Sequence, residues 1–259
     1  MDMGIIGAGL ATSLGAVITF VVLLMHFISK KNTLKFVRVN NFFSKLKRIV
    51  ITGFSTFFVD LAMGILTVLF NRQIVKYLGT NALSVYGIII NISTIVQCCV
   101  YSVGQASQPI ISYNFGAKKW RNITETLKYA LYTVVFFGLI WNGLVMFLPN
   151  QLIRIFMSPT KEILEIAPAI MRRYSLSFIL LPLNIFSTYY FQSVMKAGTS
   201  FLISVLRGLI ISGIMIYLLP AVIGGNSIWF AMLITEVVVA VVVIYYIYRY
   251  TREMTVQSN

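Results

Sequence analysis

Asp60 and Glu236 are carboxylates set inside long apolar runs, and at that depth a carboxylate does chemistry by holding a proton or a cation. Asp60 lies in IVITGFSTFFVDLAMGILTVLF, about eleven residues or roughly 16 Å from either end, too far for its side chain to snorkel out. Desolvation disfavours the bare charge of such a group, so a proton, a sodium ion or a cationic solute can compete for it. Packing against hydroxyls or an amide is the plainer role for the same residue. Glu236 sits in the first third of its run, nearer water, where binding and packing are equally balanced.

Amides extend the set. Asn91, Gln97, Gln105, Gln108, Asn114, Asn184 and Gln192 are too numerous for a lipid-facing surface, and some are expected to line a wet cavity. Gln105 and Gln108, three apart on a helix, are expected to point together toward the lobe interior. Pro109 is expected to kink a helix end, and Pro182 to bend a helix midway and free a carbonyl near Asn184. Arg207 either snorkels to the surface or forms an ion pair inside the bundle. Cys98 and Cys99, adjacent in sequence, read as packing residues, and His26 as interfacial.

Enzyme chemistry is not supported. A single histidine excludes a two-histidine zinc site, and HExxH, GxSxG, GxxxxGK[ST] and GxGxxG are absent from the sequence. No cofactor is expected.

The elements that must hold these residues are membrane spans. The chain is 58% hydrophobic and only 11% charged, with a mean hydropathy of +0.86, outside the range of soluble domains. Windows of about 20 apolar residues predict seven helices, near 4–28, 49–70, 82–107, 129–148, 163–195, 201–219 and 228–248. Runs such as TEVVVAVVVIYYIY, apolar on every face, exclude the alternation of a strand-built barrel. The fold class is therefore an all-α integral membrane protein.

Basic residues set the expected orientation. Lys30, Lys31, Lys35, Arg38, Lys45, Lys47 and Arg48 fall between the first two spans, Lys118, Lys119, Arg121 and Lys128 flank the third loop, Lys196 and Arg207 the fifth, and Arg249 and Arg252 the tail. The opposite side holds the smaller set of Arg72, Lys76, Arg154, Lys161, Arg172 and Arg173, with Glu162 and Glu165 among them. The C-terminus is therefore expected in the cytoplasm. The net charge of +14 is accounted for by loops facing anionic lipid and calls for no nucleic acid.

The stretch GQASQPIISYNFGAKKWRN, Gly104 to Asn122, resembles a signature of the bacterial branch of the multidrug and toxic-compound extrusion (MATE) transporters. GFSTFFVDLAMGILTVLFNRQIVKYLGTNALSVYGIIINI is similar to the family's seventh helix and the turn into its eighth, with an acidic residue at the Asp60 position. YYFQSVMKAGTSFLISVLRG resembles the junction of the tenth and eleventh helices, Arg207 included, and GIIGAGLAT resembles the sixth helix.

The resemblance implies a two-lobed, V-shaped antiporter of about twelve helices that expels cationic or amphipathic compounds in exchange for sodium ions or protons. This chain corresponds to its carboxy-terminal six-helix lobe plus one preceding helix. The implied organisation is 1–28 as the last helix of the first lobe, 29–48 as a basic inter-lobe linker, 49–250 as the second lobe and 251–259 as a cytoplasmic tail. The resemblance makes Asp60, Gln105, Gln108, Asn114, Asn184 and Glu236 candidate cation or substrate ligands, Asn184 replacing a residue that is acidic in some members. Pro109, Pro182 and Arg207 are candidate structural or gating residues. Implied partners are membrane lipids, small cationic substrates and the absent first lobe, and the implied location is the plasma membrane. A flippase of lipid-linked sugars or lipids, and a truncated subunit that transports nothing, are the competing readings.

Overall fold

The computed structural model describes residues 4–28 and 40–256, except for the side chains at 4–6, 8, 26, 28, 48–49, 51–60 and 254–256. Two compact units emerge, Met1–Ile51 and Thr52–Asn259. In the first, helix α1 (Gly4–Ile28) coincides with the first predicted span. It is apolar around its circumference and carries Thr19, whose hydroxyl returns to the Gly15 carbonyl at 2.8 Å.

The second unit is a helical lobe with no strand among its described residues. Helix α2 (Phe42–Gly116) belongs to it from Thr52 onward and carries one break, at Gly79. There φ is 81° and ψ is −175°, a conformation open to glycine and strained for any residue with a Cβ. The break turns one continuous run into two limbs, the two spans expected on either side of residue 79. The second limb runs on to Gly116, past the predicted end at Ser107, and contains Pro109. Pro109 is exposed, so its ring is accommodated on the outer side and the helix does not end there.

Helices α3 (Trp120–Phe147) and α4 (Pro149–Phe156) come next. The buried residues of α3, Ile123, Leu127, Ala130, Val134, Gly138 and Val145, form one stripe at helical spacing. Helix α4 was not expected from hydropathy, because eight residues bearing Arg154 are too short and too polar to register as a span. Proline at its first position supplies a helical φ where no N–H is needed.

Helix α5 (Lys161–Ser175) starts at Thr160, whose hydroxyl accepts from the Ile163 N–H at 3.4 Å. A 3-10 turn, Leu176–Ile179, separates it from α6 (Leu181–Ser193). This corrects the expectation of a single bent helix. Pro182 stands in the first turn of a new helix, and the carbonyl it cannot bond lies one turn earlier, at Phe178, and not near Asn184. Gly138 of α3 lies against that same carbonyl: a Cβ there would sit 2.6 Å from the Phe178 oxygen and 2.9 Å from Pro182 Cγ. The missing side chain lets α3 close on the break.

Helix α7 (Ala197–Val205) passes through a π turn, Leu206–Ile210, into α8 (Ile211–Val222). A 3-10 turn, Gly225–Phe230, then leads into α9 (Ala231–Val256). Five stretches of the described residues are long and apolar enough to cross a membrane: Leu61–Gly116, which contains the Gly79 break, Trp120–Phe147, Lys161–Ser193, Ala197–Val222 and Gly225–Glu253.

Aromatic rings fill the centre. Tyr86 stacks on Phe70 at 5.0 Å, tilts against Trp229 at 6.3 Å and meets Tyr174 edge-on at 6.4 Å. Lipid is as apolar as these side chains, so close packing and buried polar bonds hold the helices together more than the hydrophobic effect does. The outer faces of α9, among them Val241, Ile244, Tyr245 and Tyr248, remain exposed as surface for lipid.

Candidate functional site

Helix α6 packs against α9, and α9 against the π turn. One polar residue from each meets the others inside. Asn184 comes two positions after Pro182, and its N–H bonds the Leu180 carbonyl at 3.1 Å, so the helix restart fixes where its side chain emerges. Arg207 is the second residue of the π turn. Glu236 lies one turn into α9, after Thr235, whose hydroxyl bonds the Ala231 carbonyl at 2.9 Å.

Glu236 is fully buried, and both of its carboxylate oxygens are engaged. Arg207 Nε donates to Oε1 at 2.8 Å, with the arginine side chain 15% exposed. Asn184 Nδ2 donates to Oε2 at 2.6 Å and to the Glu236 backbone carbonyl at 2.9 Å. Asn184 Oδ1 is buried with no hydrogen-bond partner among the described residues. Ser212 Oγ donates to the Arg207 carbonyl. A carboxylate, a guanidinium and an amide thus form one neutral cluster across three elements. Burial disfavours each charge alone, and the short bonds between them offset that cost.

The other described site residues do not join this cluster. The Asp60 side chain falls outside the described ones, as does that of His26. On the second limb of α2 the buried stripe is Val100, Gly104, Ser107, Ile111 and Asn114. Gln105, one residue and about 100° beyond Gly104, is exposed, and Gln108 is half-buried. The expectation that both amides turn into the lobe therefore fails for Gln105. Asn114 is engaged at both ends of its amide: Nδ2 donates to the Ile110 carbonyl at 2.8 Å, and Oδ1 accepts from Asn122 Nδ2 at 3.0 Å. It closes the α2–α3 turn.

Among the other amides, Gln97 is buried and accepts from the Tyr101 hydroxyl at 3.1 Å. Asn91 Nδ2 donates to the Gly87 carbonyl at 3.0 Å, and Gln192 Nε2 to Ser200 Oγ at 3.2 Å. Cys98 is exposed and Cys99 half-buried, so Cys98 is not the packing residue expected. Of the two expectations for Arg207, the structure shows the ion pair inside the bundle and not a side chain that snorkels out.

A second cluster had no signal in the sequence beyond its charges. Lys196 Nζ sits 4.5 Å over the Tyr250 ring and 3.9 Å from Glu253, and Thr199 shares a 2.8 Å hydrogen bond with the Tyr250 hydroxyl. These contacts tie the end of α9 to the α6–α7 turn.

Comparison with known proteins places this lobe. The MatE family model matches residues 54–218. The multidrug export protein MepA of Staphylococcus haemolyticus is 20% identical over the whole chain, and that of Staphylococcus aureus 21%. The probable multidrug resistance protein YoeA of Bacillus subtilis is 22% identical over 64% of the chain and 36% of its own length. The chain spans about half the length of MepA, 57% of it. An outward-facing MATE multidrug resistance transporter of the MOP superfamily superimposes with a TM-score of 0.85 at 18% identity, covering 98% of this chain and 57% of its own. A MOP superfamily transporter from Pyrococcus furiosus, described as having a binding pocket of reversed polarity, gives 0.85 at 17% identity, with 98% and 58% covered. The helical lobe, its apolar spans and the family match together make this chain a multi-pass membrane protein of a transporter family and not an enzyme: it belongs to the MatE family.

Proposed function

We propose that this chain forms one lobe of a cation-coupled exporter of small cationic or amphipathic compounds, working by alternating access against a second, amino-terminal lobe. The supporting observation is the correspondence of the whole chain with just over half of a multidrug exporter. On this reading the first unit's helix is the last of the amino-terminal lobe, residues 29–48 are the linker, 49–250 the second lobe and 251–259 a cytoplasmic tail, with the protein in the plasma membrane.

Asp60 is the proposed coupling carboxylate, for sodium or a proton, because its place midway along an apolar run leaves it no route to water by snorkelling. Gln105 and Gln108, exposed and half-buried on the lobe surface, offer amides to a passing solute. A flippase would need free basic residues lining its cavity, and Arg207 is already engaged by Glu236. The geometry therefore favours export of cations over handling of lipid phosphates.

The test uses cells lacking their own exporters, producing this chain with or without the amino-terminal lobe of MepA. Accumulation of tetraphenylphosphonium, a permanent lipophilic cation, should fall only when both lobes are present. Unchanged accumulation with both lobes inserted in the membrane contradicts the reading.

A further inference from the structure

We propose that Arg207 is a tethered cation: its guanidinium fills the Glu236 carboxylate in place of an exchangeable cation, and the π turn is the element that holds it there. This deepens the transport reading above and rests on it for its biological purpose, although its chemistry stands on the cluster alone.

Three observations carry it. The first is electrostatic. Glu236 has no exposed surface and a guanidinium at 2.8 Å, so the carboxylate is already neutralised and offers a second cation nothing. The second is an oxygen without a partner. Asn184 Oδ1 is buried beside that carboxylate and bonds to nothing among the described residues, whereas its Nδ2 bonds Glu236 twice. A carboxylate and an amide oxygen together are hard donors suited to a small cation, yet the cation present is a side chain.

The third is the helix itself. A π turn holds one residue more than the α turn it replaces and recurs at functional sites. Tightening Leu206–Ile210 into α geometry would rotate α7 against α8 by about 100°. Arg207, at the start of that turn, would then leave the face of Glu236. Ser212 Oγ, five residues on, bonds the Arg207 carbonyl and so favours the wide turn. Gly208, next to Arg207, is in contact range of Ala62, where a Cβ would lie 3.4 Å from the alanine methyl. Ala62 is two residues from Asp60 in sequence, so the turn also packs on the helix that carries the proposed coupling carboxylate.

The experiment measures thermal unfolding of the purified 259-residue chain in lipid nanodiscs as sodium chloride is titrated, with choline chloride as the ionic-strength control. A ligand bound only by the native state raises the midpoint in proportion to its occupancy. Arg207→Gln leaves Glu236 without its cation, and sodium should then stabilise the protein at a concentration about tenfold or more below that needed for the wild type. Arg207→Lys should behave as the wild type. The double variant Arg207→Gln with Glu236→Gln removes both charges and should return the sodium response to that of the wild type, because the Glu236 site is gone while Asp60 is untouched.

Three results overturn the proposal: a sodium response in Arg207→Gln no larger than in the wild type, a gained response that persists undiminished in the double variant, or an Arg207→Gln protein that stays unfolded at every sodium concentration while the double variant folds. Transport failure leaves this binding result standing. Conversely, transport with no gain in sodium binding removes the tethered-cation role and keeps the exporter.

Discussion

Removing one charge of the Glu236–Arg207 pair should cost far more than removing both. Glu236→Gln strands a guanidinium that is 15% exposed, a loss of about 3–5 kcal/mol, whereas replacing both partners is close to neutral. Chemical denaturation of the two single variants and the double variant measures the difference, and a double-variant loss equal to the sum of the single losses would show that the two residues do not interact. Asn184→Leu keeps the bulk but removes both donations to Glu236, and should cost about 1–3 kcal/mol by the same measurement. The sequence singled out all three as polar residues within apolar runs, with Glu236 nearer water and Arg207 either at the surface or in an ion pair. It could not pair them, because Asn184 and Glu236 are 52 residues apart and Arg207 and Glu236 are 29 apart, on different elements. Asp60 is the reverse case, conspicuous in the sequence from its depth alone.

The elements depend on close approach as much as on apolar length. Gly138→Ala drives a methyl group to within 2.6 Å of the Phe178 carbonyl oxygen, and backbone cannot yield as a side chain tip can. Overpacking of this kind costs about 1–3 kcal/mol, to be read as a lowered thermal midpoint. At the other end of α6, the tie between Lys196, Tyr250 and Glu253 has unequal parts. The Lys196–Glu253 pair is 42% and 45% exposed, so Glu253→Gln should change stability by no more than about 1 kcal/mol. Tyr250 is buried and its ring packs on Phe191 and Tyr246 at 5.8 and 5.7 Å, so Tyr250→Ala should cost about 3–5 kcal/mol. A larger loss from Glu253→Gln than from Tyr250→Ala would reverse that ranking. Hydropathy revealed the spans because about 20 apolar residues in succession match the thickness of a bilayer and suit little else. It was blind to α4, which is too short and too polar to register, and to the 3-10 restart before Pro182 and the π turn, neither of which changes the apolar count of its run.

At the scale of the whole molecule, the proposed function has this lobe working against a partner lobe that it needs for transport. Its C-terminus is expected in the cytoplasm, so a green fluorescent protein fused after Asn259 should fluoresce and an alkaline phosphatase at the same place should be inactive; the opposite pattern inverts the lobe. Coupled export is tested most sharply by gradient-driven uptake of tetraphenylphosphonium into everted membrane vesicles containing this chain and the MepA amino-terminal lobe, with and without Asp60→Asn. Uptake should require an imposed sodium or proton gradient and should be lost in Asp60→Asn. Uptake that ignores the gradient, or that survives the loss of the Asp60 carboxylate undiminished, would contradict a cation-coupled exporter.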